Sequence, residues 1–333
     1  MKLGGRERAH RIHRFILLLF KAILKGIFVS AIFGGIYLIL MLLSDLFRNE
    51  PWIEFVNWST IALLPLFFGF MIASIIPNPT RRITRLIVWP PIAAATVLLV
   101  SFVTGIEGII CVWMALVPFC AASLLGGLLY YIYQSWRADQ AKYGLRICFI
   151  IPFVAIFAES QLPLTTNTHL VQTTVQINAP VDAVFQSLKS IQNIDPSEVE
   201  TNLTHHLNIP KPTSATWHET HRVSQWGPDV QFIERITSIG ENDHINWDFE
   251  FPDGWIKEGI EDHHIEIGGR FFSVDKGGYE LRRLGDATEL TLWTQTTDHT
   301  RLGAYAAYWN HFFIGNFHDA ILVVVKNRNE SHF

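Results

Sequence analysis

The first half of the chain consists of long apolar stretches separated by short polar connections. A helix needs about 20 mostly apolar residues to cross the hydrocarbon core of a bilayer, and the first four stretches meet that length. The stretches are Gly26–Phe47, Ser59–Pro77, Leu86–Gly105, Gly108–Tyr133 and a shorter Ile147–Ala158. They predict a transmembrane domain over residues 26–160, with about five helices at 26–47, 59–77, 86–105, 108–133 and 145–162.

Basic residues lie on alternate sides of these stretches. The tail of residues 1–25, the connection between the second and third stretches and the segment after the fourth together hold 13 lysines and arginines. The opposite connections hold Arg48 alone. The positive-inside rule therefore predicts that residues 1–25 form a basic cytoplasmic tail. The pattern is that of a multi-pass protein of a bacterial-type inner (plasma) membrane.

The fifth stretch decides on which side the rest of the chain lies. Between Leu145 and Leu164 the apolar run is interrupted by Arg146 and by Glu159 with its two polar successors. Arg146 can reach the cytoplasmic headgroups and Glu159 the opposite ones, which would let the segment span. The second half is then extracytoplasmic, or periplasmic, and we adopt this prediction. An interfacial or re-entrant segment is the alternative, and it would leave the second half cytoplasmic.

The second half alternates like a compact α+β domain. Val171–Ile177 has the two-residue period of a strand, Val181–Ile191 has helical spacing, and a long helix is predicted from about Gly303 to Lys326. The strand candidates between the helices are Thr216–Ser224, Val230–Ser238, His244–Phe251, His263–Ile267, Arg270–Asp275, Gly278–Leu284 and Glu289–Thr296. This order predicts a curved antiparallel sheet around a long C-terminal helix.

The segment Thr174–Phe185, TVQINAPVDAVF, resembles the entry motif of the START-related polyketide cyclase/dehydrase-like superfamily, often called SRPBCC. The later order of elements is similar as well. In the closing helix, Tyr305, Tyr308-Trp309, Ile321-Leu322 and Lys326–Glu330 are similar to a membrane-associated branch of that superfamily. The resemblance covers the predicted domain at 168–330 and not the membrane half.

The resemblance implies a helix-grip fold with an apolar cavity between the sheet and the last helix. Members of this superfamily bind lipids, sterols, hormones or polyketides, and some are cyclases or hydrolases. The fold by itself does not choose among these activities.

Large aromatic residues are the candidates for the lining of such a cavity. In the strand Asn246–Phe251, alternation places Trp247, Phe249 and Phe251 on one face. The predicted ligand-binding residues are Phe232, Trp247, Phe249, Tyr279, Trp293, Tyr305, Trp309, Phe312 and Phe313. They would form an aromatic wall for a flat or long apolar ligand. An ordinary filled core is the alternative, because aromatics dominate cores in general.

Charge divides between the two halves. Residues 1–160 carry 14 lysines and arginines against 7 acidic residues, whereas residues 161–333 carry 12 against 23. The second half therefore has a net charge of −11, which gives it no electrostatic footprint for nucleic acid. Anionic headgroups would repel it unless one of its faces is neutral. The expected partners are the lipid bilayer and a hydrophobic small molecule or lipid, and the sequence names no protein partner.

Candidate chemistry beyond binding is sparse. The histidine clusters at His205-His206, His218/His221 and His263-His264 invite a metal hypothesis, but adjacent or three-apart residues of a strand point to opposite faces. We therefore predict no metal site and no cofactor. The candidate acids and bases are Glu234, Asp262, His264 and His311, and they belong to no recognisable catalytic set.

The sequence thus predicts a membrane-anchored START-like domain that binds a lipid or other hydrophobic small molecule near the membrane surface. One alternative is a polyketide cyclase- or hydrolase-like enzyme that uses a cavity carboxylate or histidine. Another is a non-catalytic structural or regulatory protein with a closed core, acting through its surface. Binding is favoured over catalysis.

Overall fold

The chain divides into two compact units, Met1–Pro163 and Leu164–Phe333. The structure is a computed structural model. It describes residues 56–75, 83–105, 107–136, 141–199, 201–207, 209–257 and 271–331, together with the single positions 17, 28, 35 and 39. The predicted basic tail 1–25 and first span 26–47 lie outside the described residues apart from those single positions.

The described part of the first unit is helical. A π-helical turn, Ser59–Leu63, leads directly into α1, Leu64–Ile75. Three longer helices follow: α2 Ile83–Val103, α3 Ile109–Trp136 and α4 Ala141–Ser160. By length and composition, Ile109–Ser135 is the one helix among the described residues long and apolar enough to cross a membrane. The apolar helices Ser59–Ile75, Ile87–Val103 and Ile150–Ser160 are shorter, at 10–17 residues.

Glycines bring α1 and α3 into backbone contact. A Cβ at Gly69 would lie 1.9 Å from the carbonyl oxygen of Ser123, and a Cβ at Gly126 would lie 1.9 Å from that of Leu66. The Ser123 hydroxyl also donates a hydrogen bond to the carbonyl of Pro90 on α2, at 2.8 Å. Small residues at such contacts are typical of helix pairs packed within membranes, where close approach supplies the attraction.

Glu159, near the end of α4, forms hydrogen bonds with residues just before α1. Its Oε1 accepts a hydrogen bond from the Trp58 amide at 2.9 Å, and its Oε2 accepts one from the Ser59 amide at 2.8 Å. Ile156, one turn earlier, is fully buried in an apolar cluster that includes Leu64. The end of α4 therefore lies beside the beginning of α1.

The second unit is a seven-stranded antiparallel sheet with a long helix. Its elements are β1 Thr165–Ile177, α5 Val181–Lys189, α6 Leu203–His206, β2 Pro212–Trp217, β3 His221–Trp226, β4 Val230–Gly240, β5 His244–Glu250, β6 Phe272–Leu284, β7 Ala287–Thr300 and α7 Ala304–Glu330. The strand order is β1-β7-β6-β5-β4-β3-β2. The seven-stranded antiparallel sheet and its long C-terminal helix are consistent with the predicted helix-grip fold.

Packing in this unit is centred on α5 and α7. The apolar stripe of α5, Val181, Val184, Phe185 and Leu188, is buried. It joins Leu290 and Leu292 of β7 and the second half of α7 in one core cluster. The first half of α7 lies along β1 and β7, where His318 and Asn310 bond to side chains of those strands. Strands β3 to β5 lie on the other side of the sheet. Part of their inner face belongs to the site described below.

Three of the predicted strands had the wrong bounds. Thr216–Ser224 is not one strand, because the chain turns at His218 to Thr220 between β2 and β3, with the His218 amide bonded to the His221 carbonyl at 2.7 Å. No glycine or proline marks this turn, so the polar alternation hid it. The candidates Arg270–Asp275 and Gly278–Leu284 are not separate either, since β6 runs from Phe272 to Leu284 with a register shift between Val274 and Lys276; Arg270 lies outside the described residues. The predicted strand His263–Ile267 lies outside the described residues.

Candidate functional site

An aromatic cluster covers the inner face of β4, β5 and β6. We call it the sheet cluster; its members are Phe232, Trp247, Phe249, Phe251 and Tyr279. The ring centroids of Phe232 and Phe249 are 5.7 Å apart, and those of Trp247 and Tyr279 are 5.2 Å apart. Four of the predicted ligand-binding residues therefore meet here, and strand alternation correctly places Trp247, Phe249 and Phe251 together.

A second aromatic group occupies the first turns of α7. This helix cluster contains Tyr305, Tyr308, Trp309, Phe312 and Phe313. Trp309 is its centre, stacked on Phe313 with centroids 5.8 Å apart and edge-on to Phe312 at 5.6 Å. Four further predicted residues belong to this group.

β3, which pairs with β4, contacts α7 through Trp226 and Phe317. Their rings are edge to face, with centroids 5.3 Å apart, which joins the end of β3 to the middle of α7. Trp226 is a residue that sequence reasoning missed, because the predicted strand stopped at Ser224. Recognising the turn at residues 218–220 would have extended β3 and put Trp226 on the same face as Ser224.

Exposure distinguishes the floor of this region from its walls. Trp247 and Tyr279 are buried, at 2% and 1% exposure, and form the floor. Phe232, Phe249 and Phe251 of the sheet cluster and Trp309 and Phe313 of the helix cluster are only half-buried. Large apolar rings on the sheet and on α7 therefore remain partly uncovered. We refer to the region that these rings border as the groove.

Trp293 does not share this face. Gly277 and Gly278 are consecutive residues of β6 and therefore face opposite sides of the sheet. Each of them contacts one tryptophan side chain. A Cβ at Gly277 would lie 2.8 Å from Nε1 of Trp247, whereas a Cβ at Gly278 would lie 2.6 Å from Nε1 of Trp293. Trp293 pairs with Gly278 and alternates with the buried Leu292, so its ring covers the outer face. Of the nine predicted ligand-binding residues, Trp293 therefore lies on the opposite face of the sheet from Trp247 and Tyr279.

A buried ion pair lies against the floor of the groove. The side chains of Arg222 and Glu234 are 4% and 6% exposed. Arg222 Nε donates to Glu234 Oε2, its Nη1 donates to the Leu188 carbonyl at 2.7 Å, and Ser224 Oγ donates to Glu234 Oε1 at 3.0 Å. The guanidinium carbon also lies 5.0 Å from the centre of the Trp247 ring. Each charge is thus compensated within the protein, as burial requires.

Electrostatics fix the protonation of Arg222. Burial alone would lower the pKa of its guanidinium, but the charge of Glu234 and the Tyr279 hydroxyl outweigh burial and raise that pKa. Glu234 was a candidate catalytic acid or base, and it does face the groove side of the sheet. Both of its oxygens already accept hydrogen bonds, from Arg222 and Ser224. Of the other candidates, His311 is exposed on α7, and Asp262 and His264 lie outside the described residues.

Polar groups also line the contact between α7 and the strands β1 and β7. The ring of the buried His318 bonds to Thr173 at 3.1 Å and to Thr294 at 2.8 Å. Burial lowers the pKa of His318 to about 4, so its ring is neutral at pH 7. Two turns earlier on α7, Asn310 donates to the Thr296 hydroxyl at 2.6 Å.

Two polar atoms at the helix side of the groove are unsatisfied. Asn310 is 7% exposed, and its Oδ1 has no hydrogen-bond partner among the described residues. The same holds for Nε1 of the adjacent Trp309. Buried polar atoms without partners are uncommon and call for an explanation. Together they offer one acceptor and one donor next to the aromatic walls.

His218 and His221 were expected to point to opposite faces of one strand, but their rings are in contact. Because these residues flank a turn rather than lie on one strand, their rings stack with centroids 4.8 Å apart. Within the part of the chain that the structure describes, no group of three or more His, Cys, Asp or Glu residues is placed to hold a metal ion. The predicted cluster at Asp262 to His264 lies outside that part.

Comparisons with known proteins concern the second unit. No protein-family model and no curated protein matches the chain. Among solved structures, a START superfamily protein from Mycobacterium smegmatis is similar, with 13% identity, a TM-score of 0.32, and coverage of 50% of this chain and 99% of that one. A protein from Thermus thermophilus shows 14% identity, a TM-score of 0.31, and coverage of 49% and 99%. DynU16, from the dynemicin biosynthetic locus, shows 16% identity, a TM-score of 0.27, and coverage of 47% and 45%. Likenesses of this size carry no conclusion about function, which has to come from the geometry of the groove.

Proposed function

We propose that the chain is a membrane-anchored helix-grip protein whose groove holds a lipid or another hydrophobic small molecule near the membrane surface. The observation that carries this proposal is the pair of half-buried aromatic clusters on β4 to β6 and on α7. Ligand sites for apolar molecules are concave and lined by aromatic side chains with a few polar groups. Covering the exposed ring surfaces would contribute about 25 cal/mol per Å² of apolar area.

The polar groups of the groove suit a molecule with one polar end. Arg222 and Glu234 compensate each other and present a closed pair beneath Trp247. Asn310 Oδ1 and Trp309 Nε1 supply an unsatisfied acceptor and donor at the helix side. A hydroxyl or protonated carboxyl group can donate to an acceptor such as Asn310 Oδ1 or accept from a donor such as Trp309 Nε1.

Features of the first unit support a multi-pass anchor. Gly69 and Gly126 provide the backbone contacts typical of packed membrane helices. Glu159, near the end of α4, lies beside Trp58, in the connection that the distribution of basic residues assigns to the outer side. This supports a complete crossing by residues 145–162. We therefore propose that the second unit lies on the periplasmic side of a bacterial-type inner membrane and that the N-terminus is cytoplasmic.

Photo-crosslinking of the full-length chain in membranes tests the proposed binding. The probe is a long-chain fatty acid that carries a diazirine in its acyl chain, and labelled peptides are mapped by mass spectrometry. We expect labels on peptides that contain Phe232, Phe249 or Phe313, in addition to lipid-facing labels on the helices of the first unit. Peptides around Trp293 on the outer face of the sheet provide the control. Labelling confined to residues 59–160 would contradict the proposal.

The enzyme alternative receives no comparable support. It would need Glu234 to leave its contacts with Arg222 and Ser224 before it could accept a proton from a substrate. A closed-core interaction protein predicts that no acyl probe reaches the groove, so the same crosslinking experiment separates it from the binding function.

A further inference from the structure

The first half of α7 is uncharged and aromatic at its surface. None of the residues from Leu302 to His318 is Asp, Glu, Lys or Arg, although residues 161–333 carry 12 basic against 23 acidic side chains. Tyr308 is 62% exposed, and the rings of Tyr305, Trp309 and Phe312 are half-buried around it. This is the neutral face that an acidic domain needs if it is to approach anionic headgroups.

The uncharged half of α7 lies at one defined end of the sheet. Thr165, the first residue of β1, pairs with Thr300, the last residue of β7, and α7 begins four residues later at Ala304. At the other end of α7, Glu330 accepts a hydrogen bond from the Asn178 amide at 2.8 Å, just beyond β1. The charged residues Lys326, Arg328 and Glu330 therefore cluster at the end of the helix remote from Thr165.

Covalent length limits how far Thr165 can be from the membrane helices. α4 ends at Ser160 and β1 begins at Thr165. Five extended residues span at most about 18 Å, roughly half the thickness of a bilayer with its headgroups. If α4 crosses the membrane, the end of the sheet that begins at Thr165 is held within that distance of the point where α4 leaves it.

We propose that the start of α7 is a bilayer-docking surface, with Tyr305, Tyr308, Trp309 and Phe312 in the headgroup region. The assignment rests on the proposed membrane anchor. Tyrosine and tryptophan are the side chains that favour this region, because each has an apolar body and a polar tip. The same tryptophan, Trp309, lines the groove through its stacking on Phe313. Docking would thus open the groove towards lipid, and an apolar molecule could pass between them without crossing water.

Site-specific fluorescence on the full-length chain tests the docking. The native cysteines Cys111, Cys120 and Cys148 are replaced by alanine, and single cysteines are introduced as Tyr308→Cys or, as the matched control, Asn327→Cys. Both positions are exposed residues of α7, at opposite ends of the helix. Each is labelled with an environment-sensitive dye in vesicles of phosphatidylethanolamine and phosphatidylglycerol. Quenching is measured with lipids that bear a doxyl group near the headgroup and with aqueous iodide.

Docking predicts that doxyl lipid quenches the label at 308 and that iodide does not, while the label at 327 shows the reverse. Iodide quenching at both positions would overturn the proposal. A label at 308 that is shielded from both quenchers would also overturn it. The surface would then be covered by protein, either a second copy of the chain or another partner.

Two further measurements keep the failures apart. If alkaline carbonate extracts the chain from the membrane, the proposed membrane anchor is contradicted, and the docking proposal, which rests on it, is contradicted as well. Retention in the membrane with an iodide-accessible label at 308 would overturn docking alone. The crosslinking of the groove reports on ligand binding independently, since it reads residues on β4, β5 and Phe313.

Discussion

Arg222 lies against Glu234 beneath the ring of Trp247, and both charged side chains are almost completely removed from solvent. The pair connects α5 to the floor of the groove, because Arg222 also donates to the Leu188 carbonyl. It joins β3 to β4, where Arg222 and Glu234 are paired directly, and Glu234 is in turn paired with Phe249 of β5. The pair is thus part of the structure that shapes the site.

Removal of one member of this pair is expected to destabilise the domain strongly. Arg222→Met leaves the Glu234 carboxylate buried and unpaired, at a cost of about 3–5 kcal/mol in the free energy of unfolding. The double variant Arg222→Met/Glu234→Leu leaves no buried charge and should lose less than Arg222→Met alone. Pulse proteolysis of the full-length chain in detergent, across a urea series, measures both losses.

An exposed pair provides the control for that experiment. Arg235 and Glu250 also form an ion pair, with 53% and 40% of their side chains exposed. Exposed pairs contribute about 0–1 kcal/mol, so Arg235→Met should change stability little. Equal losses for Arg222→Met and Arg235→Met would show that the burial of the first pair has no energetic consequence.

His318 should make the domain less stable in acid. Burial lowers its pKa in the folded state to about 4, below the ordinary value of 6.5 expected in the unfolded chain. The unfolded state therefore binds the proton more tightly, and stability present above pH 6.5 is lost as the pH falls towards 4. The loss approaches about 1.4 kcal/mol per pH unit in that window.

A His318→Gln variant isolates this contribution. Glutamine keeps hydrogen-bonding capacity towards Thr173 or Thr294 but does not titrate. Unfolding free energies measured between about pH 4.5 and 7 by the same proteolysis assay should depend less steeply on pH in the variant. The same pH slope in both proteins would contradict the assignment of a neutral, buried His318.

Substitutions of Gly277 and Gly278 on β6 should be relieved by changes to different tryptophans, because the two residues contact tryptophans on opposite faces of the sheet. Gly277→Ala places a methyl group against Trp247, and Gly278→Ala places one against Trp293, so each should cost about 1–3 kcal/mol through overpacking. Trp293→Leu should recover part of the loss in Gly278→Ala and none of the loss in Gly277→Ala. Thermal unfolding of the single and double variants measures the coupling. Recovery of both glycine variants by Trp293→Leu would contradict the placement of the two tryptophans on opposite faces.

Glu159 should protect the first turn before α1. Glu159→Ala removes two charge-assisted hydrogen bonds to the Trp58 and Ser59 amides, each of the kind that contributes about 1.5–3 kcal/mol. Hydrogen exchange in the peptide containing residues 57–63 should then accelerate in the membrane-embedded chain. Ser160→Ala, one residue further along, is the control and should leave that exchange unchanged. Unchanged exchange in Glu159→Ala would contradict the contact.

Sequence periodicity predicted the order of the elements in the second unit because most of its strands are buried on one face only. It predicted the neighbours of Trp247 for the same reason. Trp293 was grouped with the cavity by its aromatic character and not by periodicity, although its neighbours Leu292 and Thr294 occupy the inner positions of β7. Alternation along that strand contained the correct answer.

The polar components of the site were not predictable in the same way. Along their strands, Arg222 and Glu234 each occupy a position whose charge is typical of a solvent-exposed face. Only the pairing of β3 with β4 shows that the two opposite charges lie side by side and neutralise each other. Asn310 and His318 lie eight residues apart on a helix whose aromatic residues dominate its pattern. Their partners, Thr296 and Thr294, come from a strand, so the contacts depend on the tertiary fold.

Native mass spectrometry of the full-length chain, released from lipid nanodiscs, tests the central claim most directly. Wild type is compared with Phe249→Glu, which puts a charge in the groove, and with Trp293→Glu, which puts one on the outer face of the sheet. The groove predicts one tightly retained lipid or apolar molecule in the wild type and in Trp293→Glu, lost in Phe249→Glu. Identical retention in all three proteins, or no retained molecule in the wild type, would contradict ligand binding in the groove.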